Sequence, residues 1–500
     1  MVLEYLRNTN LLQHKKEKMT LSNTFTISIA VFIAFIITPE ITNAQSKKPN
    51  VIVFVADDFG YGSTNVYGAS KDLIKTPNIN KLAKKGVKFI NAYTTGSVCT
   101  PTRYALMTGQ YSWRTSLKKG VVNMNDPALI DVKTKTLPKY MQSLGYKTAM
   151  VGKWHLGFKE KKFKNLLGII YPAPTDYGLD YAFALPNNLD DGHKVYIENN
   201  TIYGLRSDKI SAYGKSFYGK QYTGYDAPQR VTENVTDDLT EKAINWIKTV
   251  DKDEPFFLYY AAAAVHHPIV PSPKMRGKSN AGAYGDFIQD IDRSLGDLIA
   301  FLEEKGIREN TMIIFASDNG GDIPKKKQVM PENFAINKGL KINGDYKGDK
   351  HTIWDGGFRI PFIVSHPKKI KENKTSDVTI STVDIYSFLA DYIANEKGLK
   401  KEDASDSYSF KKAVLEPNKF YERAPLIHRD ARGRKVVRFG HWKYVEGIKN
   451  KKKINAEMLF DLSKDSKETN NLANLDLEIV AKAKEHLIKV NEKQSKTIWK

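Results

Sequence analysis

Cys99 is the only cysteine of the chain, and it opens the run Cys99-Thr100-Pro101-Thr102-Arg103. An apolar stretch, Tyr104 to Met107, and then Thr108-Gly109 follow it. Proline just after Cys99 fits the first turn of a helix, which places Cys99 at a helix N-terminus. Free N–H groups and the helix dipole favour anionic charge there. Arg103, four residues on, can return its side chain to the same end, and an electropositive pocket around a nucleophile suits an anionic ester. Acidic residues recur after apolar runs: Asp57-Asp58 after Asn50–Ala56, and Asp318-Asn319 after Thr311–Ala316. Hard oxygen donors without histidine suit Ca²⁺ or Mg²⁺ better than zinc. Basic residues recur in the same way, as Gly152-Lys153-Trp154-His155 and as His266-His267-Pro268, and Lys350 follows Lys338, Lys341 and Lys347. Each has an ordinary reading too: a loop-opening acidic pair, a solvated lysine, a satisfied loop histidine, a buried inert cysteine.

The elements that must hold these residues read as α/β. Asn50–Ala56, Lys147–Val151, Phe256–Ala262 and Thr311–Ala316 are short apolar runs of strand length. Helices are expected from Pro77 to Lys85 and over 284–304, where apolar residues recur at helical spacing. Apolar strands alternating with helices predict a large, mostly parallel sheet sandwiched by helices. Such sheets place ligands beyond the carboxyl ends of their strands, where the residues above fall. The Gly-, Tyr- and Asn-rich segment 186–230 reads as long surface loops, and the Lys-rich 396–420 as a linker. Val436–Phe439, Trp442–Val445 and Met458–Leu462, with a helix near 476–492, predict a smaller C-terminal subdomain of antiparallel strands plus a helix. The expected division is a leader over 1–44, a catalytic domain over 45–400 and the small subdomain over 401–500.

Five hundred residues, 41% hydrophobic and 27% charged, exclude a disordered or collagen-like chain. A mean hydropathy of -0.45 excludes a polytopic membrane protein. Lys15, Lys16 and Lys18 precede an apolar run, Ile27–Ile37, and Thr42 and Ala44 stand at the spacing of a cleavage site. This is the pattern of a secretory signal peptide, starting at Met1 or Met19, and too short to anchor the chain in a bilayer. The mature protein is expected to be periplasmic or secreted, with no stable membrane anchor. The formal charge of +21 favours a polyanionic partner. Nucleic acid is not expected, because no recognition motif accompanies the charge. Lysine runs such as Lys451–Lys453 read as solvated surface.

Cys-x-Pro-x-Arg followed by a helix and Thr-Gly resembles the signature of the type I sulfatases, within the alkaline-phosphatase-like superfamily. The resemblance runs from Asn50 to about Ala473. It takes in Asp57-Asp58, the Gly152–His155 block, Ser317–Gly320, Lys350 with Trp354-Asp355-Gly356-Gly357, and Leu459–Leu462. It implies that Cys99 is oxidised by a formylglycine-generating maturation enzyme to an aldehyde that hydrates to a gem-diol. It also implies one Ca²⁺ (Mg²⁺ second) on Asp57, Asp58, Asp318, Asn319 and the modified Cys99. By the same resemblance Arg103 holds the diol, Lys153 and Lys350 clamp the sulfate, and Asp318 serves as base for attack on sulfur. His266 protonates the leaving alcohol, and His155 takes the proton when sulfate is expelled. Lys347 and His267 are the alternatives to Lys350 and His266. Asp355 replaces the more usual glutamate, and His351 stands where a glycine or small residue is common.

Asn187–Asn200 resembles the corresponding region of glycan-directed sulfatases. With export and +21, this implies a sulfated polysaccharide or its oligosaccharides, carrageenan-, ulvan- or glycosaminoglycan-like. Asp190, Asp191, His193 and His428 are candidates to meet the sugar, or ordinary loop residues. The competing expectations are a phosphonate monoester or phosphodiester hydrolase of the same superfamily, and a sulfated-glycan-binding protein that has lost catalysis.

Overall fold

From Val51 to Ala56 every residue is apolar and at most 1% exposed. Only a strand covered on both faces meets that condition. The computed structural model, which describes residues 48–495 except 325–329, 401 and 451–452, places this strand (β1, Asn50–Ala56) at the centre of a ten-stranded sheet. The expected leader and Lys451–Lys452 lie outside the described residues.

The other strands are β2 (Val87–Phe89), β3 (Lys147–Lys153), β4 (Tyr181–Leu185), β5 (Ile197–Glu198), β6 (Thr201–Ile202), β7 (Phe256–Ala261), β8 (Thr311–Ser317), β9 (Phe362–Ser365) and β10 (Lys374–Ser376). Their order is β10-β2-β9-β8-β1-β7-β3-β4-β5-β6. The five consecutive strands β8, β1, β7, β3 and β4 run parallel, with Val53 beside both Tyr259 and Ile314. Antiparallel pairing is confined to the flanks, at β8–β9, β9–β2, β4–β5 and β5–β6. The mostly parallel sheet is as expected, whereas β4 and β9, five and four residues long, carry too few positions to show a period.

Alternate residues of each strand feed two cores. Val51, Val53 and Val55 point to one, with Tyr104, Leu106 and Met107 of helix α2 (Cys99–Thr108) and Phe388. Ile52, Phe54 and Ala56 point to the other, with Ile79 and Leu82 of α1 (Pro77–Lys84), Leu239 of α3 (Val235–Thr249) and Ile288, Ile291 and Leu295 of α4 (Gly282–Glu304). A third cluster lies under a four-stranded antiparallel sheet, Leu426–Arg429, Lys435–Phe439, Trp442–Val445 and Met458–Asp461, covered by Val480, Ala483 and Leu487 of α5 (Leu477–Ser495).

The stretch expected as a linker does not behave as one. Phe410, Ala413 and Val414 are buried in the first core, and the Asp406 carboxylate holds Arg114. Its lysine content hid these few apolar anchors. Among the described residues no helix is long and apolar enough to cross a membrane.

Candidate active site

Parallel strands end on one edge of the sheet, and their next residues therefore meet there. Asp57 and Asp58 follow β1, Lys153 ends β3 with His155 two residues on, Asp318 and Asn319 follow β8, and His266 lies beyond the end of β7. Crossed backbone bonds stitch the ends together: Asp57 N–H to the Ala264 carbonyl, Val265 N–H to the Asp57 carbonyl, and Asp318 N–H to the Ala56 carbonyl. Gly152 lets β3 close on β7, since a Cβ there would lie 1.8 Å from the Ala261 carbonyl oxygen at a φ of +121°. Asp58, His155 and His351 adopt left-handed φ of 55°, 56° and 75° without being glycine. Such conformations concentrate where surrounding structure holds functional side chains. They also explain why a small residue is expected at the position of His351, whose N–H donates to the Ser97 carbonyl.

Cys99 is the first residue of α2 and is 2% exposed. Its Sγ lies 3.6 Å from Asp57 Oδ1 and 3.5 Å from Lys153 Nζ. Lys153 Nζ donates to Asp57 Oδ2 at 2.7 Å, and Lys350 Nζ donates to Asp58 Oδ2 at 2.7 Å. Arg103 Nε and Nη2 both donate to Asp318 Oδ2, at 3.0 and 2.7 Å, while Nη1 donates to the Lys153 carbonyl at 2.8 Å. Asp318 Oδ1 accepts the Asp58 N–H at 3.1 Å. All the site residues expected from the sequence therefore converge. Of the two alternatives, Lys347 is engaged elsewhere, with Nζ donating to the Glu468 carbonyl. His267 borders the same cavity, but its imidazole sits between Glu332 (3.2 Å) and Asp322 (3.6 Å).

Oxygen atoms of Asp57, Asp58 and Asp318 and the Cys99 Sγ all lie within 4.8 Å of one another, a spacing that could hold a metal ion. Asn319 adds an independent sign. Its Nδ2 donates to Asp58 Oδ1 and to the Gly320 carbonyl, which leaves Oδ1 buried without a partner. A buried carbonyl oxygen beside three carboxylates is what a hard cation requires, so these residues fit the divalent metal.

The electrostatics agree with that fit. Burial, only partly offset by Lys153, pushes the Asp57 carboxyl up to about 7. Burial acts on Asp58 as well, but Lys350, His266 and Lys153 outweigh it and hold that carboxyl below the usual range. Burial raises the Cys99 thiol far above its ordinary value, so an unmodified cysteine here is a protonated, poor nucleophile. His155 and His266 are both pushed well below 6.5, by burial first and then by the neighbouring lysines. His155 Nε2 lies 3.1 Å from the Val122 carbonyl and must donate to it, which leaves Nδ1 buried with a free lone pair.

A cavity of about 220 Å³ opens onto this cluster, lined by Cys99, His155, Asn188, Tyr218, His266 and Lys350. A larger one of about 770 Å³ shares His267, Asp322, Lys350 and His351 with it, so the two adjoin along these residues. Sequence reasoning missed Tyr218, Asn188 and Asp322. Asp322 had a signal, four residues past Asp318, whereas Tyr218 and Asn188 lie in the loop segment without periodicity. The residues suggested for sugar contact are buried and bonded within the framework. Asp190 holds Lys194 and Asp191 pairs with Arg230. His193 bonds the Tyr225 hydroxyl, and His428 donates from Nδ1 to the Thr94 carbonyl.

A sulfatase family model matches residues 49–394. An N-acetylgalactosamine-6-O-sulfatase of Bacteroides thetaiotaomicron is 33% identical over 485 residues, covering 89% of this chain and 93% of that protein. The human N-acetylgalactosamine-6-sulfatase is 28% identical over 352 residues, 68% of this chain and 61% of the relative. A solved Bacteroides thetaiotaomicron sulfatase, described within the metabolism of multiple glycosaminoglycans, superposes with a TM-score of 0.81 at 32% identity, over 89% of this chain and 99% of its own.

Proposed function

The chain belongs to the sulfatase family, and from that premise we propose that it removes sulfate from a sulfated glycan, 6-O-sulfated N-acetylgalactosamine first among the candidates, using a formylglycine made from Cys99 and one Ca²⁺. The observation that carries this reading is the charge balance around Cys99. Asp57, Asp58 and Asp318 face Arg103, Lys153 and Lys350, three carboxylates against three cations. A divalent cation on Asp57, Asp58, Asp318 and Asn319 would hold all three acids ionised, Asp57 included, and leave two positive charges in excess, suited to a sulfate ester and to the sulfate dianion released from it. The substrate preference is supported by the relatives of that specificity, and the larger cavity that adjoins the small one offers room for a sugar.

When in place, the oxidised side chain at residue 99 would supply the nucleophilic oxygen and the cation would draw charge from the ester. The chain's own residues do the rest. Arg103 fixes Asp318 with two hydrogen bonds and so sets the direction of the base. Lys153 and Lys350, bonded here to Asp57 and Asp58, would offer their ammonium groups to the sulfuryl oxygens. His266 delivers a proton to the departing alcohol oxygen, and His155, with its free Nδ1, takes up the proton released when sulfate leaves. The leader sequence supports export of the mature enzyme to the periplasm or beyond, after a maturation enzyme has acted on Cys99.

The test is sulfate release by ion chromatography from protein matured at residue 99. Its substrates are 6-O-sulfated N-acetylgalactosamine, carrageenan and ulvan oligosaccharides, and a phosphodiester, with Cys99→Ala as control. Release from the amino sugar, abolished in the control, is expected. Preference for a sulfated galactan would replace the substrate, and preference for the phosphodiester would replace the reaction.

A further inference from the structure

Tyr218 sits at the tip of a hairpin in which Tyr213–Lys215 pairs with Gln221–Tyr222. The hairpin is pinned beside the active site. The Phe217 N–H and the Tyr222 hydroxyl both donate to Asp190, at 2.7 and 2.9 Å, and the Phe217 ring stacks on His267 with centroids 5.7 Å apart. These contacts carry Tyr218 to the wall of the cavity that holds Cys99, His155, His266 and Lys350. The residue is 44% exposed, yet its hydroxyl lies 3.3 Å from His266 Nδ1 and 3.4 Å from the His267 carbonyl.

His266 Nδ1 is itself 2.9 Å from that carbonyl. A carbonyl oxygen only accepts, so Nδ1 carries the hydrogen in this bond. The Tyr218 oxygen offers a second lone pair to the same N–H, while its own O–H reaches the carbonyl. The imidazole is thereby gripped along its Nδ1 edge. Nε2 is left outside that grip, 3.7 Å from Asp58 Oδ2.

We propose that Tyr218 is a positioning residue for His266: its hydroxyl fixes the plane of the imidazole so that Nε2 aims at the ester oxygen that departs. This rests on the reading of His266 as the proton donor. In the step served, the S–O bond breaks with its electron pair staying on oxygen. Because Nδ1 keeps its hydrogen, the ring acts as the imidazolium, protonated from solvent beside the bound anionic ester: its Nε2 proton moves to that oxygen, and the neutral Nδ1–H imidazole remains. An alcohol leaving group needs that proton, whereas a nitrophenol departs as a stable anion without it.

The experiment measures kcat for the matured enzyme and for Tyr218→Phe, which keeps the ring and removes only the hydroxyl. Substrates are aryl sulfates of graded phenol acidity and 6-O-sulfated N-acetylgalactosamine. The penalty is expected to grow as the leaving group becomes less acidic, from within about 2-fold for 4-nitrophenyl sulfate to roughly 10-fold for the weakest acids. Retained turnover of 4-nitrophenyl sulfate shows in the same experiment that the variant is folded and matured. A penalty equal across the series, a penalty confined to KM, or no penalty would overturn the proposal. Wild-type turnover of the aryl series without any sugar sulfate would sink the substrate reading and leave the Tyr218 result standing.

Discussion

Lys350 Nζ donates to Asp58 Oδ2 at 2.7 Å, whereas Lys347 Nζ bonds the Glu468 carbonyl and lies 3.6 Å over the Trp354 ring. Two lysines on one loop thus belong to different environments, one facing the reaction cavity and one holding the loop to the C-terminal sheet region. Lys350→Ala is expected to lower kcat/KM for a sulfate ester by about 10² or more, since it removes a preorganised cation from a buried site. Lys347→Ala is expected to stay within about 3-fold, because its ring contact and single hydrogen bond only support the loop. Parallel sulfate-release assays decide, and equal losses in the two variants would refute the distinction.

The central strands were legible because each is an unbroken apolar run, and burial on both faces leaves that trace in sequence. The site residues were legible for a related reason: a parallel sheet forces the residues after its strands to one edge, so Asp57, Lys153 and Asp318 could be placed there from position, while their roles came from the resemblance to the family. What sequence could not show was orientation. His266 and His267 are adjacent, and only the backbone at the end of β7 turns the first toward Asp58 and the second toward Asp322 and Glu332. Tyr218 was invisible for a different reason, since its role depends on a hairpin tied down by Asp190, a contact 27 residues apart that leaves no periodic signal.

Metal binding can be read without activity. A cation that binds only the folded state raises stability by mass action, by about 2.7 kcal/mol at one hundred times its dissociation constant. Adding Ca²⁺ to chelator-treated protein is expected to raise the melting temperature by a few degrees, and Asp318→Asn to abolish the shift. Asn319→Ala, which removes the unpartnered Oδ1, is expected to move the Ca²⁺ midpoint at least about 10-fold. A midpoint unchanged in Asn319→Ala would remove that oxygen from the site.

His428 predicts a specific acid sensitivity. Burial, with Arg438 nearby, holds its imidazole down to about 3 in the folded chain, against 6.5 when exposed. Between those values the unfolded chain binds one more proton than the folded one, so this group makes stability fall as pH drops from about 6.5 to about 3. Its share of the slope is at most about 1.4 kcal/mol per pH unit. His428→Asn keeps a donor for the Thr94 carbonyl but does not titrate. Urea midpoints at pH 7 and pH 5 should therefore lie closer together in the variant than in the wild type, whatever the absolute stability of either. Unchanged spacing would show that His428 is not the group responsible.

Asp355, in the place of the more usual glutamate, is a junction between the loop bearing Lys350 and the C-terminal sheet. Its carboxylate accepts from Arg438 at 2.6 and 2.7 Å and from Lys443 at 2.9 Å, and Lys443 also pairs with Glu468. All four side chains are at least nine-tenths buried. Arg359 Nε lies 3.4 Å from the same carboxylate, so removing the charge of Asp355 leaves three buried cations with one remaining carboxylate, and Asp355→Asn should destabilise by about 3 kcal/mol or more. If the unpaired charge is the cause, Lys443→Met should cost less in the Asp355→Asn background than alone. A double-mutant cycle on urea midpoints measures this directly, and strict additivity would mean that the pair contributes shape rather than charge.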